Sequence, residues 1–210
     1  DATRAEPSYL YEVVVATIES GASVINIPDT VGYAVPEQFG QFIHDIRKNV
    51  KNIDRAILGV HFHDDLGMAV ANSLAAVKNG AQQVECAING LGERAGNASL
   101  EEIVMAIQTR REFFDVYTNI NAKELYPISR LVSRLMGIAV PPNKAIVGAN
   151  AFAHSSGIHQ DGFIKRRETF EIIKPEDVGI KESRLVLTPR SGRNALRHRL
   201  VELGGDVTVK

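Results

Sequence analysis

The chain has 210 residues, 44% of them apolar and 23% charged, with 24 Lys and Arg against 25 Asp and Glu and a formal net charge of −1. This composition excludes a disordered or fibrous chain. So weak a charge gives no general pull toward nucleic acid or an anionic membrane, and the absence of Trp argues against a base-stacking platform.

Elements follow in chain order. Tyr9 to Ser20 reads as a helix with Leu10, Val13, Val14 and Ile18 on one face, stopped at Gly21. Ser23 to Ile27 reads as a buried strand closed by Pro28. Pro36 opens the next helix, which carries Phe39, Phe42, Ile43, Ile46 and Val50 on one stripe. Ala56 to Phe62 is a strand, Leu66 to Lys78 a helix stopped at Asn79-Gly80, and Gln83 to Ile88 a third strand. Ser99-Leu100-Glu101-Glu102 reads as a capping box opening a helix through Gln108. A βα unit repeated about every 30 residues implies a parallel sheet covered by helices on both faces, in an open doubly wound sheet or a barrel.

The pattern changes after about residue 115. Ala122 to Met136 is a helix, Pro141-Pro142-Asn143 a break, and Thr188-Pro189 opens a last helix that runs to Leu203 before Gly204-Gly205. Arg190, Arg193, Arg197 and Arg199 decorate that helix as a solvated or interface face. The expected organisation is residues 1–115 as an α/β unit and 116–210 as a smaller, mainly helical one. The single cysteine, Cys86, forbids an intrachain disulfide, reads as a small core residue and fits a reducing, cytoplasmic setting. No apolar run reaches the roughly 18 residues of a membrane span, and the residues from Asp1 to Pro7 do not read as a signal peptide.

Four segments can carry chemistry. In Gly59-Val60-His61-Phe62-His63-Asp64-Asp65, at a strand end, His61 and His63 project to one side. Two such imidazoles can ligate one divalent metal, with Asp64 and Asp65 orienting the rings; the alternative is a polar loop without a ligand. After the next strand, Gly90, Gly92 and Gly96 let the backbone approach a ligand closely, and Asn97 offers an amide oxygen to a metal. Glu93 and Arg94 read as a charged pair within that loop, which is otherwise an ordinary βα turn. In Pro28-Asp29-Thr30-Val31-Gly32, the Thr30 hydroxyl can bind a carboxylate or phosphate, against a simple turn built by Pro28, Asp29 and Gly32. In Ala153-His154-Ser155-Ser156-Gly157-Ile158-His159-Gln160-Asp161-Gly162, His159 is a possible acid or base oriented by Asp161, against a solvated loop histidine.

Together these segments resemble the isopropylmalate and homocitrate synthase family, within a wider group of metal-dependent βα-barrel enzymes that includes citramalate synthase and hydroxymethylglutaryl-CoA lyase. The signature is Leu58-x-x-His61-x-His63-Asp64-Asp65-x-Gly67-x-Ala69, joined by Gly96-Asn97, Pro28-x-Thr30, Gly157-x-His159-Gln160-Asp161-Gly162 and Pro189-Arg190-Ser191-Gly192-Arg193-Asn194. The last segment favours the isopropylmalate-forming branch. The resemblance implies the C-terminal portion of a (β/α)8 TIM barrel, about strands six to eight, followed by a small helical subdomain. It implies His61 and His63 as ligands of Mn2+, Mg2+ or Zn2+, Asn97 at the metal site, Thr30 on the carboxylate of a 2-oxo acid, and His159 as a catalytic histidine. The implied partners are the 2-oxo acid, acetyl-CoA as co-substrate and a second copy of the chain.

The implied reaction is a Claisen-type condensation of acetyl-CoA with 2-oxoisovalerate to 2-isopropylmalate and CoA, the first committed step of leucine biosynthesis. Homocitrate or citramalate formation, lyase cleavage of a 3-hydroxyacyl-CoA, and an inert metal-binding or dimerising fragment are the alternatives. The family's aspartate ligand on its first barrel strand has no counterpart here. Its catalytic glutamate is expected immediately upstream of Asp1, so this chain alone is expected to be inactive.

Overall fold

Three apolar runs, each followed by an amphipathic one, become three parallel strands with helices packed on one face. The computed structural model describes residues 1–189 and 191–205; Arg190, assigned above to the last helix, lies outside them. The chain divides into two compact units, Asp1–Asn119 and Ile120–Lys210.

The first unit begins with α1, Pro7–Glu19, which has Pro at its first turn where a missing N–H costs nothing. Strand β1, Val24–Asp29, leads to α2, Pro36–Asn49. Strand β2, Ile57–Phe62, leads to α3, Ala69–Lys78. Strand β3, Gln83–Glu85, leads to α4, Leu100–Thr109, and the single turn α5, Arg111–Phe114. The sheet order is β1-β2-β3, all parallel, with Pro28 opposite His61 and His61 opposite Glu85.

Several boundaries differ from the sequence reading. β1 runs through Pro28, because its pairing with β2 continues past the proline to Asp29, opposite Phe62. β3 stops at Glu85, and Ile88–Gly90 forms a 3-10 turn with Asn89 at φ 60°. Helix α3 starts at Ala69 instead of Leu66, after a turn that Gly67 takes at φ 70°. Ser99 precedes α4, but its side chain makes no capping hydrogen bond.

The core lies between the strands and α1 to α4. Ile25, Ile27, Leu58, Val60 and Phe62 face Phe39, Ile43, Ile46, Ala76, Ile103 and Ile107, all buried. Burying side chains of this size contributes about 1.5–3 kcal/mol each. Phe39 and Phe62 meet edge to face at 4.5 Å between centroids. The alternate residues point away from this core, and Val24 and Ile57 are 40% and 43% exposed. Among the described residues the sheet is therefore covered on one face only, contrary to the expected two.

The second unit holds α6, Leu125–Met136, then the two-residue parallel strands β4, Ala153–His154, and β5, Arg184–Leu185. Between them lies α7, Gly157–Lys165, and after them α8, Arg193–Glu202. Helix α8 starts at Arg193 and not at Thr188, because the Ser191 hydroxyl accepts from the Thr188 N–H at 2.9 Å and holds that segment as a loop. Its end is as expected: Gly204 takes φ 79°, and the N–H groups of Gly204 and Gly205 close on the Val201 and Leu200 carbonyls.

Candidate active site

The period-2 geometry of β2 sends Leu58, Val60 and Phe62 into the core and His61, with His63 just beyond the strand, to the opposite side. The two imidazole centroids are 5.1 Å apart and the rings nearly perpendicular. Both rings are half-buried. The backbone N–H of His63 donates to the Asp29 carbonyl at 3.2 Å, so the end of β1 fixes where His63 leaves the sheet.

Asn97 reaches the same place from the glycine-rich loop. It pairs with His63 in an isolated antiparallel bridge, and its N–H donates to the Gly90 carbonyl. Its side-chain nitrogen donates to the Phe62 carbonyl at 3.1 Å and faces Nε2 of His61 at 3.4 Å. Its Oδ1 faces Gly92, where a Cβ would collide with it. A Cβ on Gly96, at φ 98°, would run into the Gly90 carbonyl. These glycines are thus required by close backbone approach.

Thr30 is exposed at the C-terminal end of β1, and the turn that carries it is built on Asp29. The Asp29 carboxylate is fully buried and accepts from the N–H of Ala34 at 2.9 Å, the N–H of Tyr33 at 3.2 Å and the Thr3 hydroxyl at 3.1 Å. Asp29 is accordingly the residue that shapes the turn, and Thr30 is exposed on it.

Two expectations about the acidic residues are corrected. Asp64 and Asp65 do not orient the imidazoles through the hydrogen bonds they make. Asp64 accepts from the Ala69 N–H at 2.8 Å, at the start of α3, and Asp65 takes both Nε and Nη2 of Arg94 at 2.8 Å. Arg94 therefore pairs across loops with Asp65, and not with its neighbour Glu93. The Arg94 hydrogen bond holds the Asp65 carboxyl below the usual carboxylate range, and Asp65 in turn raises Arg94. No local motif announces this pair, because its members are 29 residues apart.

The donors at this strand end suit part of the shell of a divalent cation. Nδ1 of both His61 and His63 is buried without a hydrogen-bond partner, so the protein alone leaves part of each ring's polar capacity unmet. His61 Nδ1 also lies 3.9 Å from the Glu85 carboxylate. Among the described residues no cluster of three or more His, Cys, Asp or Glu stands ready as a complete ligand set. Two imidazoles and one amide leave coordination positions open for further oxygen donors.

Cys86 is half-buried beside the core, and burial, followed by the nearby Glu101 carboxylate, pushes its thiol up to about 11. That makes it inert, in line with a packing role.

In the second unit, His159 is exposed on α7 and stacks on Phe170 at 4.4 Å. Asp161 does not orient it: residues two apart on a helix point in different directions. Asp161 instead binds Lys165 at 2.6 Å and Asn194 at 2.7 Å. The buried histidine of this unit is His154, in the same segment, to which the sequence pattern gives no role. Its Nε2 meets Glu171 at 3.1 Å, and Glu171 also accepts from Arg167 at 2.6 Å and from Ser183. Gln160, fully buried, donates to the carbonyls of His154 and Val186 and ties the β4 end to the chain after β5.

Comparison with known proteins agrees with this picture. A protein-family model described as HMGL-like matches residues 1–132, and one described as homocitrate synthase post-HMGL domain-like matches residues 146–210. A 2-isopropylmalate synthase of Aquifex aeolicus is 63% identical over 99% of this chain and 40% of its own length. One of Carboxydothermus hydrogenoformans is 62% identical over 99% of this chain and 41% of its own length. The chain thus spans about 40% of the length of these relatives. Among solved structures, the HMG-CoA lyase of Bacillus subtilis superposes with a TM-score of 0.55 at 26% identity, covering 65% of this chain and 46% of that one.

Proposed function

This chain belongs to the HMGL-like family of TIM-barrel enzymes, and from that premise we propose that it carries part of the active site of a 2-isopropylmalate synthase. The proposed reaction joins acetyl-CoA to 2-oxoisovalerate and releases 2-isopropylmalate and CoA. The observation that carries this reading is that Thr30, His61, His63 and Asn97 stand at or just beyond the C-terminal ends of three successive parallel strands, where βα folds assemble their catalytic groups. The high identity to relatives of that name supports it.

In this reading β1, β2 and β3 are strands six, seven and eight of the barrel. Residues 1–115 are the C-terminal half of its catalytic domain, and 116–210 are a helical linker subdomain. The open sheet face, with Val24, Ile57 and His61 on it, supports their placement on a barrel interior.

The residues divide the work as follows. His61 and His63 hold a divalent cation, with Asn97 beside them. When bound, that cation supplies Lewis-acid polarisation of the 2-oxo acid's ketone. Thr30 donates its hydroxyl proton to the substrate carboxylate and sets which end of the acid faces the histidines. Asp29 holds the Thr30 turn in place before substrate arrives, so little ordering remains to be done on binding. His159 is assigned to proton transfer around the condensation, on its imidazole nitrogens. Helix α6 exposes Ile128, Leu131 and Leu135 at helical spacing, which supports assembly as a homodimer. No described helix is long and apolar enough to cross a membrane; the free thiol of Cys86 supports a reducing, cytoplasmic setting.

The test is release of CoA thiol by the intact protein from acetyl-CoA with 2-oxoisovalerate. Turnover with 2-oxoglutarate or pyruvate instead reassigns it to homocitrate or citramalate formation. Cleavage of a 3-hydroxyacyl-CoA without condensation reassigns it to a lyase.

A further inference from the structure

Arg94 has a left-handed backbone, φ 54°, which is uncommon for a residue with a long side chain and persists where the surroundings over-determine it. What determines it is visible. Its guanidinium takes both oxygens of Asp65 at 2.8 Å, and Nη2 also donates to the Thr30 carbonyl at 2.8 Å. Asp65 in turn backs onto the Thr30 turn: a Cβ on Gly32 would lie 2.6 Å from its N–H nitrogen and 2.7 Å from its Oδ2. One arginine therefore binds together the three loops that follow β1, β2 and β3. Each of those loops carries a residue of the proposed site, Thr30, His63 and Asn97 respectively.

We infer that Arg94 is a positioning residue that, through Asp65 and the Thr30 carbonyl, holds the substrate-binding turn in register with the histidine loop. The inference rests on the reading that Thr30 binds the 2-oxo acid carboxylate. A planar fork is needed for this: it serves a carboxylate and a backbone carbonyl at once, which a lysine ammonium does only as a point charge. Arg94 contacts no reacting atom in this role. Its loss loosens the turn that grips the 2-oxo acid and leaves acetyl-CoA binding largely alone.

The test compares Arg94→Lys, Arg94→Met, Asp65→Asn and the double variant Arg94→Met/Asp65→Asn in the intact protein. Steady-state constants for both substrates and amide hydrogen exchange are measured on each. Arg94→Met is expected to raise the KM for the 2-oxo acid about tenfold, the size of effect seen for directly coupled residues, with the acetyl-CoA KM changed less than about twofold. Arg94→Lys is expected to recover only part of the loss, and the double variant to be no worse than Arg94→Met. Amides of residues 31–34 exchange faster, while those of 58–60 in β2 keep their protection. Unchanged KM and unchanged exchange overturn the inference, as does an equal rise in both KM values with loss of protection in β2. If the intact protein condenses no 2-oxo acid with acetyl-CoA, the proposed reaction fails. Exchange then decides on Arg94 by itself: selective loosening of 31–34 upholds the tie, and its absence overturns it.

Discussion

The side-chain nitrogen of Asn97 lies 3.4 Å from Nε2 of His61 while donating to the Phe62 carbonyl at 3.1 Å. An amide N–H meets an imidazole nitrogen on its lone pair, so this contact is a hydrogen bond in the tautomer with the proton on Nδ1, the nitrogen that faces Glu85. Nε2 is then the nitrogen with the lone pair, and a cation taken up there displaces the Asn97 N–H from it. Coordination by its own Oδ1 takes a half-turn of the amide, away from the Phe62 carbonyl. Asn97→Ala is expected to weaken Mn2+ binding about 10–100-fold, the range found when a group orienting a ligand is removed. Equilibrium titration of Mn2+ into the intact protein measures it.

The orientation of the two histidines depends on the core beneath them. Phe62 sits between them in sequence, is fully buried, and packs edge-on against Phe39. Phe62→Ala is expected to cost about 3–5 kcal/mol of stability. Urea unfolding of the variant against the parent checks this, and a loss under 1 kcal/mol contradicts the packing described.

Much of this was legible in the sequence, for a physical reason. The strand ends bearing Thr30, His61 and Asn97 follow from short apolar runs alternating with helical periods, which are local signals. The first unit's helices and strands accordingly appear within a few residues of their expected places. What escaped was non-local. Arg94 was paired with adjacent Glu93 because sequence shows neighbours, whereas the fold brings Asp65 to it. His154 and His159 lie in one segment, and burial, not motif, distinguishes the two. β1 runs past Pro28 because its pairing with β2 extends to Asp29, a fact about the neighbouring strand and not about the proline.

The second unit is tied together at Glu171, whose side chain is 4% exposed. Burial works against its charge, but the hydrogen bonds from Ser183, Arg167 and His154 outweigh it and hold its carboxyl below the usual range. A depressed carboxylate stabilises the fold fully above its unfolded pKa, about 4.3, and loses that contribution as pH falls through the lower folded value. Glu171→Ala is expected to cost about 1–3 kcal/mol at pH 7, since His154 and Ser183 lose their acceptor while Arg167 keeps Glu176. The gap between variant and parent should narrow only below about pH 4, read from unfolding midpoints across pH.

Cys86, with its thiol pushed up to about 11, is expected to stay protonated at pH 8. A thiol reagent should label it in the folded protein far more slowly than after denaturation. Rapid labelling under native conditions contradicts the packing role assigned to it.

The most direct test of the proposed site is whether His61 and His63 hold the metal. Pulsed electron paramagnetic resonance of Mn2+ bound to the intact protein reads nitrogen coupling from ligating imidazoles. The expected result is coupling to histidine nitrogen that diminishes in His61→Ala and in His63→Ala and disappears in the double variant, together with tight binding. Mn2+ held equally well by the double variant, or bound in the parent without any nitrogen coupling, would contradict it.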